Sequence, residues 1–287
     1  MLEKVRKSTY LNSAVEIEGY TLFSGKPVKV RLTTPLNIEG IYFKRVDIPD
    51  SEPIKAVLNN VWKTPRTTII GDEKASVALI EHLMASLYAF NIKNALIEID
   101  GPEVPIGDGS ALHIVEAILK CSPNTEKKRK FLSLSQAVSL ENLQQVQISM
   151  PSEEFKITYV LNYPPESLIN DQIHTFSFDL MRFIDDIAPA RTFALKSEVD
   201  QMVRCGIIKS KSLDAGLVID NGVALNPKGL RFHDEMARHK ILDFLGDFAL
   251  ADLDVSMHNV SIRAGHQANI EFAKKIKNHF KETVYDA

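Results

Sequence analysis

"MARHKILDFLGDFAL", residues 236 to 250, is the stretch on which the reading of this chain turns. At about 100° per residue its pattern is helical, and His239, Lys240, Asp243 and Asp247 fall within roughly one third of the circumference. Ile241, Leu242, Phe244, Leu245, Phe248 and Ala249 fill the rest. A solvated face carries a broad polar mixture, whereas a narrow charged stripe between large apolar groups marks a buried helix. Charge buried in that way requires partners. His239 and Asp243 stand four apart, so both side chains can reach one metal ion from the same side of the helix. The same spacing also suits a plain His–Asp hydrogen bond, and only further ligands decide between the two.

Outward from this helix, 287 residues with 45% hydrophobic composition suffice for two domains with packed cores. The formal net charge is only -3 and no long basic stripe occurs, which argues against nucleic acid as a partner. The charged opening "MLEKVRKSTYLNSAVEIEGY" lacks the apolar run of a signal peptide, and no segment approaches membrane-spanning length. A cytoplasmic protein without stable membrane insertion, acting as a monomer, is expected. Cys121 and Cys205 lack metal-ligand spacing and read as reduced thiols.

Strand patterns at "VKVRLTT" and "NALIEID" precede helical stretches around Val77 to Phe90 and Ala111 to Leu119. The polar, basic "KCSPNTEKKRKFLSLSQ" marks a boundary near residues 122 to 130. Strands through "QVQISM", "FKITYVLNY" and "GLVID" then lead to the His239 helix and to a closing helix from about Gln267. This order predicts an α+β fold of two similar domains, residues 1–125 and 126–287, each a sheet layered with helices, with the active site in the cleft between them. No residue-level repeat is visible. An inserted strand–helix–strand unit at about 194–220 aligns Leu195, Val199, Met202 and Val203 on one helical face, which suits either core packing or a groove for an apolar ligand.

Three other groups carry possible chemistry. Glu81 and His82 lie side by side in "ALIEHLMASLYAF", pointing about 100° apart, so one could ligate an ion while the other holds water or a ligand. A surface Glu beside a hydrogen-bonded His fits equally well. His266 follows a glycine in "SIRAGHQANI" and, held protonated, could serve as a general acid or an electrostatic stabiliser. "DGPEVPIGDGSALHIVEAI" reads as scaffold, with Asp108 and Ser110 placed to cap the next helix. His113, His174, His233, His258 and His279 have no partner spacing.

"IEHLMASL", "DGPEVPIGDGS", "ARTF", "GLRFHDEMARHKILDFLGD" and "AGHQAN", in this order and over nearly the whole chain, resemble the UDP-3-O-acyl-N-acetylglucosamine deacetylases of lipid A biosynthesis. The resemblance implies a zinc site of His82, His239 and Asp243 with one open position, as a hydrolytic zinc requires. Such a donor set also accepts ferrous iron. It further implies that Glu81 is the general base, that His266 is the protonated stabiliser or acid, and that Asp247 orients His266. Thr192 would be the hydroxyl donor to the developing oxyanion, where one donor is typically worth about 100- to 1000-fold in rate.

An acylated UDP-sugar is the implied substrate. Lys240, Phe193 and Arg263 would meet its sugar-nucleotide part, and Val199, Met202 and Val203 its acyl chain. The chain departs from the family pattern at Phe23, which stands for a histidine in "LFSG", at Arg263 and Ala264 in "RAGH", and at Ser210 to Ser212 in "SKS". The residues also fit a zinc-stabilised binder of acylated sugar nucleotides that performs no chemistry, or a metal-free structural domain. Acetate release and metal content separate these readings.

Overall fold

Val28, Val30 and Leu32 are buried and alternate with outward Lys29 and Arg31, the period-two pattern that makes Pro27–Thr33 (β2) a half-buried strand. Its neighbour Val15–Tyr20 (β1) buries Val15 and Ile17, and its outward Glu16 and Glu18 pair with Arg31 and Lys29 across the register. These exposed ion pairs favour the register while adding little stability. The computed structural model describes residues 8–121, 123, 131–142, 144–163, 169, 171–208 and 215–285.

Three more strands complete the first sheet: Ile41–Arg45 (β3), Ile54–Lys55 (β4) and, later in the chain, Ala95–Ile99 (β8). The order is β1-β2-β8-β3-β4. Between β4 and β8 the chain builds a small three-stranded sheet, Val61–Lys63 (β5), Ile69–Gly71 (β6) and Ser76–Val77 (β7), and then the helix Glu81–Ala89 (α1). Leu112–Lys120 (α2) follows β8. It starts at Ala111 without a side-chain cap; Asp108 instead accepts from the backbone and hydroxyl of Ser110, and Ser110 accepts weakly from Leu112.

The second half begins with Leu132–Ser133 (β9), Val138–Glu141 (β10), Val146–Pro151 (β11), Lys156–Leu161 (β12) and Gln172–Ser177 (β13). A short helix, Leu180–Arg182 (α3), runs on into a π-helical stretch, Phe183–Ile187. Phe193–Leu195 (β14), Lys196–Arg204 (α4), Leu217–Asp220 (β15) and Val223–Ala224 (β16) form the second insert. Glu235–Ala249 (α5), Val255–Ile262 (β17) and His266–Tyr285 (α6) close the chain. The sheet order is β10-β11-β17-β12-β13, with β9 also paired to β17.

The two large sheets have one topology. Along each, successive pairings are antiparallel, antiparallel, parallel and antiparallel. In each half a helix precedes the central strand, α1 before β8 and α5 before β17, a second helix follows it, and an insert sits just before the first helix. The repeat thus lives in topology, not in residues. The expected boundary at 122–130 lies, apart from Pro123, outside the described residues.

α1 and α5 pack against each other at the centre of the molecule. Every residue of α1 is buried, and α5 buries Ile241 through Phe248 without a break. Their approach is so close that a Cβ built on Gly246 would lie 2.0 Å from the Glu81 carbonyl oxygen. Only glycine permits that contact.

Candidate active site

The first turn of α1 presents Glu81 and His82, and one face of α5 presents His239, Asp243 and Asp247, so the crossing brings both sets together. One ligand atom each from His82, His239 and Asp243 lies within 4.8 Å of the others, and all three residues are buried. His239 Nε2 is 3.3 Å and His82 Nε2 is 4.0 Å from Asp243 Oδ1. The two imidazoles meet edge to face, with centroids 5.1 Å apart.

His239 donates from Nδ1 to the Ala190 carbonyl, 3.0 Å away, which turns Nε2 toward the cluster. Burial, reinforced by His239, pushes the His82 imidazole down to about 3, so it is neutral and available as a donor ligand. Burial alone would raise Asp243, but Lys240, His239 and His266 outweigh it and hold this carboxyl well below the usual range. Two imidazoles and a carboxylate in a buried pocket form a donor set that could hold a divalent metal ion.

Two groups of opposite character flank the cluster. The Glu81 carboxylate accepts from the Thr67 hydroxyl at 2.7 Å and from the Thr68 backbone N–H at 3.1 Å. Burial pushes its pKa above the ordinary glutamate range against the pull of His266, with Asp247 and Asp243 adding to the rise. His266 donates from Nδ1 to Asp247 Oδ2 at 2.9 Å, and its Nε2 lies 3.9 Å from both Glu81 Oε1 and Asp243 Oδ2. Burial works against its charge, yet Asp247 and Asp243 prevail and lift it to about 10. These carboxylates favour the charged form of His266.

Asp247 is fully buried and takes two further donors, the Thr68 hydroxyl and Asn269 Nδ2. Asn269 in turn accepts from Gln147, which also donates to Ser261. The Thr67 hydroxyl also accepts from the N–H of Leu79, whose φ of 59° costs on the order of 1 kcal/mol or more in a non-glycine residue. Strain of this kind just ahead of Glu81 is what a built site contains. Thr67, Thr68, Asn269 and Gly246 also belong to the site, and no charge or metal-ligand spacing in the sequence marks them.

Glu81, His82, His239, Lys240, Asp243 and His266 line one end of a cavity of about 410 Å³. Thr192 and Phe193 lie on its wall, with Thr192 held by bonds from its N–H to Gly109 and from Leu217 to its carbonyl. Lys240 places Nζ 2.8 Å from Asp243 Oδ2 and 5.6 Å from the Phe193 ring centroid. Val199 and Met202 of α4 also line this cavity, as do Ile208 and Phe23, whose N–H is bonded to Glu103. Val203 and Arg263 are exposed and outside the lining, and Ala264 is buried with its carbonyl accepting from Tyr159. Ser210 to Ser212 lie outside the described residues.

The family model for UDP-3-O-acyl N-acetylglycosamine deacetylase (LpxC) matches residues 8–278. The chain belongs to this family. A relative from Geotalea uraniireducens (strain Rf4), named UDP-3-O-acyl-N-acetylglucosamine deacetylase, is 38% identical over 267 residues, covering 93% of this chain and 87% of its own. The deacetylase of Geobacter sp. (strain M21) is 40% identical over 261 residues, 90% of this chain and 85% of that one. The deacetylase of Chlamydia pneumoniae is 35% identical over 278 residues, 96% and 98% of the two chains. No helix among the described residues is long and apolar enough to cross a membrane.

Proposed function

We propose that this protein hydrolyses the N-acetyl amide of UDP-3-O-acyl-N-acetylglucosamine, releasing acetate and a free amine, with zinc held by His82, His239 and Asp243. The observation that carries the reading is the meeting of Glu81 and His266 beside the His-His-Asp cluster, with His266 Nε2 3.9 Å from both Glu81 Oε1 and Asp243 Oδ2. Bound there, the metal would supply Lewis acidity toward the amide carbonyl and bring the pKa of water from 15.7 toward about 7. The same donors accept ferrous iron.

The protein's own groups do the rest. Glu81, aimed by Thr67 and Thr68, takes a proton from the attacking water as its oxygen bonds to the acetyl carbon. Thr192, from the cavity wall, donates to the developing oxyanion. His266, charged and oriented by Asp247, gives its proton to the nitrogen as the C–N bond breaks. Lys240 and Phe193 receive the sugar and the wall by Val199 and Met202 the acyl chain, while Arg263, exposed and outside the lining, is left for the nucleotide. Val203 faces outward and contributes no wall.

On this reading residues 1–125 and 126–287 are two domains that share one site. A single chain supplies the whole constellation, which supports a monomer, and cysteines that stay free suit the cytoplasm. A protein that only binds has no use for a base held by two donors beside an acid. The test is incubation with substrate and detection of acetate. Equimolar acetate and amine are expected, whereas binding with no acetate released would leave a binding module in its place.

A further inference from the structure

The base and the acid belong to different halves of the fold, Glu81 on α1 and His266 with Asp247 on α6 and α5. Their relative placement must hold to a fraction of an ångström for both to serve one substrate. We infer that Thr68 is a positioning residue that locks Glu81 and the Asp247–His266 pair into one frame. This rests on the proposed deacetylase reading.

Among the described residues Thr68 alone is bonded to both carboxylates. Its backbone N–H donates to Glu81 Oε2 at 3.1 Å, and its hydroxyl donates to Asp247 Oδ1 at 2.5 Å. The residue is completely buried and does not line the cavity, so it acts only through the groups it touches: Glu81, Asp247 and, 3.4 Å from its hydroxyl, His266 Nδ1. Asp247 Oδ2 is already taken by His266 and Asn269, so the Thr68 hydroxyl is what holds the other oxygen and fixes the rotation of the carboxylate. A carboxylate free to turn would let the imidazole turn with it.

The small sheet explains how Thr68 is itself held. It directly precedes β6, whose Ile70 is buried and pairs with Val77 of β7, four residues before Glu81. Thr67 reinforces the frame by joining the Leu79 N–H to Glu81 Oε1. The first insert thus carries two consecutive threonines across to the acid and base, a task its three short strands otherwise leave unexplained.

Thr68→Ser and Thr68→Ala differ by one oxygen, so their comparison isolates the hydroxyl. Thr68→Ala is expected to lower kcat about 10- to 100-fold, with KM and metal content within about twofold of wild type, while Thr68→Ser stays within about threefold. In an Asp247→Asn background the added loss from Thr68→Ala should shrink to under about threefold, because the two residues act as one unit. Thr68→Val, which keeps the volume, replaces Thr68→Ala if the smaller residue unfolds the protein. A second readout needs no turnover: the Nδ1–H proton resonance of His266 in metal-free protein should move or broaden in Thr68→Ala and return in Thr68→Ser. Equal kcat in the Ala and Ser variants, or an unmoved His266 resonance, overturns the proposal. Absence of acetate release by wild type instead defeats the deacetylase reading, and the resonance then decides the role of Thr68 by itself.

Discussion

Replacing Gly246 by alanine should harm this protein even though alanine is the better helix former. In an exposed helix interior the exchange gains about 1 kcal/mol. Here the new Cβ would meet the Glu81 carbonyl oxygen at 2.0 Å, its carbonyl carbon at 2.7 Å and its Cα at 2.8 Å. All three are backbone atoms, so no rotamer relieves the overlap, and α1 must retreat from α5 by more than about 1 Å to restore ordinary contact. Overpacking of this sort costs about 1–3 kcal/mol, and at its upper end a net loss of about 2 kcal/mol remains after the propensity gain. For a chain of this size that lowers Tm by roughly 4–8 °C. The retreat carries Glu81 and His82 with it, and a misplacement of about 1 Å is worth on the order of 100-fold in turnover. Thermal unfolding and acetate release on the purified variant measure both. A Gly246→Ala protein with raised Tm and kcat within twofold of wild type would refute the close helix crossing as the frame of the site.

Other outcomes follow from the same geometry. Glu81→Ala should keep its metal and lose about 100-fold or more in kcat, as removal of a general base requires; metal analysis beside the acetate assay checks this, and full activity would exclude Glu81 as the base. Glu235 is completely buried and accepts from the Arg191 side chain and backbone and from the Arg231 N–H, so Glu235→Ala strands Arg191 and should cost about 3–5 kcal/mol in urea unfolding. Because Arg191 directly precedes Thr192, activity should fall as well. In metal-free protein, stability should peak near pH 6.5. Burial lowers His82, to about 3, as well as His113 and His174 in the folded state, so unfolded chain takes up more protons below that pH and stability falls; His266, lifted to about 10 by Asp247 and Asp243 against burial, loses its contribution as pH rises from 6.5 through 10. Denaturant titrations from pH 5 to 9 would show a monotonic trend if these assignments are wrong.

The sequence declared the helices with charge inside them, because a period of 3.6 exposes His239, Asp243 and Asp247 on one stripe. It also showed the longer strands, where Val28, Val30 and Leu32 alternate with cations. The inter-helix meeting of His82 with His239 came from resemblance, since spacing says nothing about which distant helices cross. Helix α1 begins at Glu81, later than the apolar run suggests, because Ser76–Val77 pairs as β7 and Leu79 turns through positive φ. The first insert went unread: strands of two or three residues are too short to display a period. The likeness of the two halves is legible in their element order, but the pairing order within each sheet is not, for it depends on long-range pairing and not on the identity of any residue.

The proposed chemistry depends most on one cation being gripped by His82, His239 and Asp243. Acetate release by wild-type protein, chelated and then titrated with zinc, beside Asp243→Ala treated identically, tests it most directly. Activity should vanish on chelation and return at one zinc per chain, while Asp243→Ala neither retains stoichiometric metal nor recovers. Undiminished acetate release from the fully chelated protein, or recovery of Asp243→Ala at the same single equivalent, would contradict it.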